Sequence, residues 1–102
     1  MARTRGRLDG NHREVIAALE AAGMCTLSLA PMGNGCGDVL VGWRNACFLL
    51  EIKDGSKPPS ARVLTAAERK FRETWGGHYA VVTSPEQAVI AVTIAARRMG
   101  LV

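Results

Sequence analysis

The sequence predicts a single α/β domain with the element order αβββαβα, a mixed central sheet flanked by helices. Three observations lead there. Apolar residues recur at helical spacing in three separate stretches, each bounded by a start and a stop signal. Short β-rich runs lie between these stretches, and two of them flank a two-residue turn. A chain of 102 residues with no internal repeat and no linker-like composition shift is one domain.

Residues 1–10 set Arg3, Arg5 and Arg7 among Gly and Thr, which suits a basic flexible N-terminal arm, with the folded domain at 11–102. From Asn11, a favourable N-cap, Val15, Ile16, Ala18, Leu19 and Ala22 follow at helical spacing until Gly23 stops the first helix. His12, at the helix start, is expected in solvent. Met24 to Leu29 reads as a short strand. Pro31, Gly33, Gly35 and Gly37 then exclude regular structure and predict a loop that gives a ligand close access to the backbone. Val39 to Trp43 and Ala46 to Lys53 are β-rich and flank Arg44 and Asn45, the pattern of a hairpin. The segment DGSKPPSAR is polar, basic and irregular. Thr65 caps a helix to about Trp75 that sets Ala67, Phe71 and Trp75 on one face at core spacing; Gly76 and Gly77 end it. Tyr79 to Val82 is a strand. Ser84, Pro85 and Gln87 then form an S-x-x-Q helix start, and the last helix, apolar almost all round in its middle, runs to Gly100.

Composition excludes several classes of function. No run approaches the roughly 18 apolar residues of a membrane helix. The cationic N-terminus is followed by no apolar stretch and so does not read as a secretory signal, which makes the cytoplasm the expected setting. Cys25, Cys36 and Cys47 are odd in number and lack zinc-ligand spacing, so they are expected to be reduced thiols in or near the core. A net charge of +4 leans toward an anionic partner such as nucleic acid.

The charges in LLEIKDG, Leu49 to Gly55, interrupt an otherwise buried pattern. If Arg44 and Asn45 are the turn, Trp43 lies opposite Ala46 and Asp38 opposite Glu51, on one face of the sheet. The two-residue side-chain period places Lys53 on that face as well. Opposed carboxylates repel, and the counter-charge that suits them is a hard divalent cation, Mg²⁺ or Mn²⁺, shared with waters and a substrate phosphate. The alternative is a solvated face on which Asp38 ends a strand and Glu51 pairs with Lys53. Lys57 and Arg62, just beyond Lys53, suit backbone phosphates, as do Arg69 and Arg72 on one helix face, where Glu68 and Glu73 also offer them ion pairs.

The run GDVLVGWRNACFLLEIKDG followed by PPSARVLTAAERKFRETW resembles the PD-(D/E)XK nuclease superfamily, and within it the small stand-alone VRR-NUC and Holliday-junction-resolvase-like proteins of phages and bacteria. The similarity extends from about Asn11 to Ala91. It implies a restriction-endonuclease-like core, with Asp38, Glu51 and Lys53 as catalytic residues. It also implies a Mg²⁺ site, open to Mn²⁺, made by Asp38, Glu51, the Ile52 carbonyl and Glu14 of the first helix. Glu14 equally suits a capping box with Asn11. The implied activity is metal-dependent DNA endonuclease, on branched DNA such as a four-way junction or flap, by a homodimer without organic cofactor, leaving 5′-phosphate and 3′-hydroxyl ends. Alternatives are a sequence-specific or nicking duplex nuclease, or an inactive DNA-binding or assembly module. Two positions depart from the family: Gly37 stands where a proline usually precedes the aspartate, and Arg69 aligns with a frequent glutamine.

Overall fold

The computed structural model describes residues 10–102; the arginines of the predicted N-terminal arm lie outside the described residues. The elements are α1 (His12–Ala21), β1 (Cys25–Ser28), β2 (Val39–Trp43), β3 (Ala46–Ile52), α2 (Ala66–Thr74), β4 (Tyr79–Val82) and α3 (Pro85–Arg98), with short 3₁₀ turns at Ala30–Met32 and Pro59–Ala61. The strands form one mixed sheet in the order β1-β2-β3-β4. The first three are antiparallel and β4 runs parallel to β3, as a crossover through α2 requires. The chain is thus α/β, with a four-stranded mixed sheet and flanking helices.

Arg44 and Asn45 both take positive φ, 55° and 67°, as a tight hairpin turn of the type I′ class demands. That turn pairs Trp43 with Ala46 and carries the register through to Val39 opposite Leu50. Phe48, Leu50 and Ile52 of β3 alternate onto the face that meets α1 and α3. There they join Val15, Leu19, Val39, Val41, Val82, Ala88 and Val92 in a fully or almost fully buried core. The intervening residues Leu49 and Glu51 therefore project from the opposite face, and α2 lies on that side.

Several local expectations change. Asn11 precedes α1 but makes no cap; its Nδ2 donates instead to the backbone carbonyls of Lys53 (3.2 Å) and Thr83 (2.9 Å), tying α1 to the ends of β3 and β4. No capping box with Glu14 forms. His12 is buried rather than in solvent. Cys25 and Cys47 are exposed and Cys36 is half-buried; Cys25 and Cys47 lie across the sheet from each other, each opposite Gly42, on the face away from the core. α2 buries no residue: Ala67 is exposed, Phe71 is half-buried and Trp75 is 44% exposed. A complete capping box between Thr65 and Glu68 closes its first turn. No helix of the described residues is long and apolar enough to cross a membrane.

Candidate active site

The hairpin assembles the site by backbone hydrogen bonding. Asp38 stands just before β2, where its N–H donates to the Leu50 carbonyl and its carbonyl accepts from the Leu29 N–H, each at 2.8 Å. Its carboxylate Oδ2 accepts from the Ile52 N–H at 2.7 Å. Asp38 therefore brackets Glu51, bonding to the residue on either side of it, which brings the two carboxyl groups within hydrogen-bonding reach. The Ile52 N–H points toward Asp38, and in an extended strand the carbonyl of the same residue points the same way. Lys53 belongs to the same face as Glu51, and its N–H is fixed by the Val82 carbonyl at 2.9 Å.

Gly37, which precedes Asp38, takes φ +102°, a conformation closed to proline, whose ring fixes φ near −65°. A Cβ there would stand 3.0 Å from Leu49 Cδ1. Glycine at this position is thus part of how this chain aims Asp38. Gly35 takes φ +72° and lies so close to α2 that a Cβ would fall 2.6 Å from the Ala67 carbonyl carbon. The close approach expected of this loop toward a ligand is here made to the first turn of α2.

Burial raises the Glu51 carboxyl from its ordinary value to about 9, helped by the charge and hydrogen bonding of Asp38 and then by Glu68. Only 4% of Glu51 is exposed, so solvent does little to relieve the repulsion. Lys53 Nζ lies 3.8 Å from Glu51 Oε2 and 2.9 Å from Glu68 Oε1. The same Glu68 oxygen accepts from the Thr65 N–H at 2.8 Å. Burial alone would push the Glu68 carboxyl up, but its bonds to Thr65, Lys53 and Glu51 outweigh this and hold it below the usual value. Tyr79, on β4, directs its hydroxyl toward Glu51 Oε1 at 3.5 Å, and burial followed by the charges of Glu51, Glu68 and Asp38 raises it strongly. The Cys36 thiol is raised, chiefly by burial and also by the charges of Glu51 and Asp38.

The structure thus gathers Asp38, Glu51, Ile52 and Lys53. It does not gather Glu14 with them: Glu14 is exposed and lines a cleft with Asn11, Asp54, Ser56, Thr83 and Gln87, and the carboxylates acting on Glu51 are those of Asp38 and Glu68. Lys57 is exposed in the turn after Asp54. Arg62 is half-buried, with an Nε that has no hydrogen-bond partner among the described residues. Arg69 points away, its guanidinium 3.5 Å from the Leu64 carbonyl, and Arg72 is exposed in the last turn of α2. The α2 side chain that enters the site is Glu68, which turns to Lys53 rather than to the neighbouring arginines. Sequence reasoning missed Glu68 and Tyr79. A T-x-x-E capping box was readable at Thr65, but nothing local shows that its glutamate also faces Lys53.

Among the described residues, no three His, Cys, Asp or Glu side chains converge as a preformed metal cage. Mg²⁺ does not need one. It keeps several waters and takes one or two carboxylates plus substrate phosphate. Asp38, half-buried, and Glu51, buried, are all oxygen and fit that donor set once Glu51 gives up its proton to the ion, with the Ile52 carbonyl directed to the same side. No family model, curated protein or solved structure matches this chain.

Proposed function

We propose that this chain is a Mg²⁺-dependent DNA endonuclease with a restriction-endonuclease-like core, in which Mn²⁺ substitutes for Mg²⁺ and branched DNA is the preferred substrate. One observation carries the reading: Glu51 is buried against Asp38, so that its carboxyl is driven toward the uncharged form, and Lys53 lies 3.8 Å away on the same face. A structural site would not keep two carboxylates in a position that costs stability; a site that recruits a cation together with a phosphodiester would.

Asp38, Glu51 and the Ile52 carbonyl would hold the metal, which when bound supplies neutralising charge for the phosphate oxygens. Lys53 donates from Nζ to a non-bridging phosphate oxygen or to the attacking water, fixing one of them in line with the bond to be broken. Tyr79 holds Glu51 from the β4 side. Arg62, Lys57 and Arg72 supply cationic groups for the flanking phosphates, and Arg69 joins them only by turning from the Leu64 carbonyl. A cut through both strands of a junction needs two sites, and α3 supports a homodimer: Ile90 and Ile94 are 54% and 40% exposed, and Ile94 lines a cleft with Tyr79 and Ala80 of β4, one edge of the sheet. The cytoplasm of a bacterial or phage-infected cell is the setting that suits this role.

The Glu68–Lys53 pair favours a second reading. An ammonium already held at 2.9 Å by a carboxylate has to give up that bond to serve a phosphate, and a chain in which it does not would be a DNA-binding module without turnover. Incubating wild type and Lys53→Ala with labelled junction, flap, linear duplex and single strand, in Mg²⁺ or EDTA, separates the two. Metal-dependent cleavage lowered at least about a hundredfold by the substitution is the expected outcome. Tight DNA binding with no cleavage in Mg²⁺ or Mn²⁺ gives the second reading instead.

A further inference from the structure

α2 leaves its aromatic residues only half covered, although an amphipathic helix normally buries them, and their arrangement is ordered. The Phe71 and Trp75 rings stack at 5.2 Å with 21° between their planes, and Phe71 lies 5.9 Å from the Tyr79 ring. Tyr79 in turn reaches Glu51. The rings form a continuous series from the acidic pair to the surface, and the outermost, Trp75, is the exposed one. The indole is fixed on two sides: Phe71 covers one face, and Nε1 donates to the His78 carbonyl at 3.1 Å. Gly77 makes that second contact possible, since a Cβ there would lie 2.9 Å from Nε1. The 44% exposure of Trp75 is therefore that of a held ring.

Arg72 lies one helical turn before Trp75 and is exposed, as is Lys70. An exposed aromatic ring one helical turn from a guanidinium matches a base with its own backbone phosphate. A base within duplex has both faces covered by its neighbours, so only an unpaired one can take this place.

We propose that the exposed indole of Trp75, backed by Phe71, stacks an unpaired nucleobase of single-stranded DNA at the outer end of the ring series that starts at the acidic site, making the chain selective for DNA with unpaired nucleotides near the cleaved bond. The choice of DNA as partner rests on the nuclease reading, but the recognition step requires no metal. Its test is accordingly run in EDTA, where nothing is cut. Fluorescence anisotropy of the full chain with labelled oligothymidylate and with labelled duplex is compared for wild type, Trp75→Phe and Trp75→Leu. Trp75→Leu is expected to weaken single-strand binding about tenfold, with Trp75→Phe within about threefold of wild type and duplex binding unchanged in both. Single-strand affinity unchanged in Trp75→Leu overturns the proposal, as does an equal loss on duplex or a loss in Trp75→Phe as large as that in Trp75→Leu. A chain that passes this test and cuts nothing in Mg²⁺ refutes the nuclease reading and keeps the stacking site; a chain that cuts but fails it does the reverse.

Discussion

Gly37 and Glu51 hold opposite kinds of cost at the candidate site. At Gly37 the cost is avoided by having no side chain: φ +102° is open to glycine and closed to proline. Gly37→Pro is therefore expected to destabilise the fold by about 2 kcal/mol or more, measured by urea unfolding. At Glu51 the cost is accepted. Its folded-state pKa is raised to about 9 from an ordinary value of 4.5, so the uncharged form is the one the fold favours. The stability that Glu51 contributes is complete below about pH 4.5 and is lost as pH rises through about 9. Glu51→Gln removes this dependence. It is expected to raise the melting temperature at pH 8 by about 5 °C, with a much smaller difference at pH 4.5, as read by thermal melts. Lys53 keeps its 2.9 Å partner Glu68 in that variant, so the gain is not offset by a stranded ammonium.

At the scale of elements, the β2–β3 hairpin and α2 differ in what their sequences specify. The hairpin was legible because two β-rich runs flank Arg44 and Asn45, and a two-residue turn leaves one register; the shared face of Glu51 and Lys53 follows from the side-chain period, whereas Asp38 lies just beyond the ladder, its N–H on the Leu50 carbonyl and its carboxylate on the Ile52 N–H. The placement of α2 was not legible. Its apolar positions read as a core face, yet the helix lies over the outer face of the sheet, held by Gly35, by the Glu68–Lys53 pair and by Phe71 against Tyr79. These are long-range contacts with no local signal. The same holds for Asn11, where cap propensity was outweighed by two tertiary hydrogen bonds. Two outcomes follow. Amides of α2, which buries no residue, are expected to exchange with solvent faster than those of α1, α3 and the central strands in a hydrogen-exchange time course. Gly35→Ala is expected to push the first turn of α2 outward and separate Glu68 from Lys53, lowering stability by about 1–3 kcal/mol in urea unfolding.

Across the whole molecule, the sheet divides two roles. One face packs against α1 and α3 and carries the stability; the other bears the acidic pair, the lysine and the aromatic series, with little buried beneath α2. The order of elements was legible from caps and periodicity, whereas the exposure of Cys25 and Cys47 was not, because apolar character alone does not say which face of a strand meets helices. The outward side of α3 and the free edge of β4 are expected to carry the homodimer contact, so Ile94→Asp should convert a dimer to a monomer in sedimentation velocity without unfolding it. The acidic pair itself is tested most directly by calorimetry. Mg²⁺ is titrated into Lys53→Ala bound to DNA, a background that leaves the DNA intact, and into the same protein carrying Asp38→Asn. Saturable uptake in the first and none in the second is the predicted result; no uptake with DNA present, or uptake unchanged by Asp38→Asn, would contradict a metal site at Asp38 and Glu51.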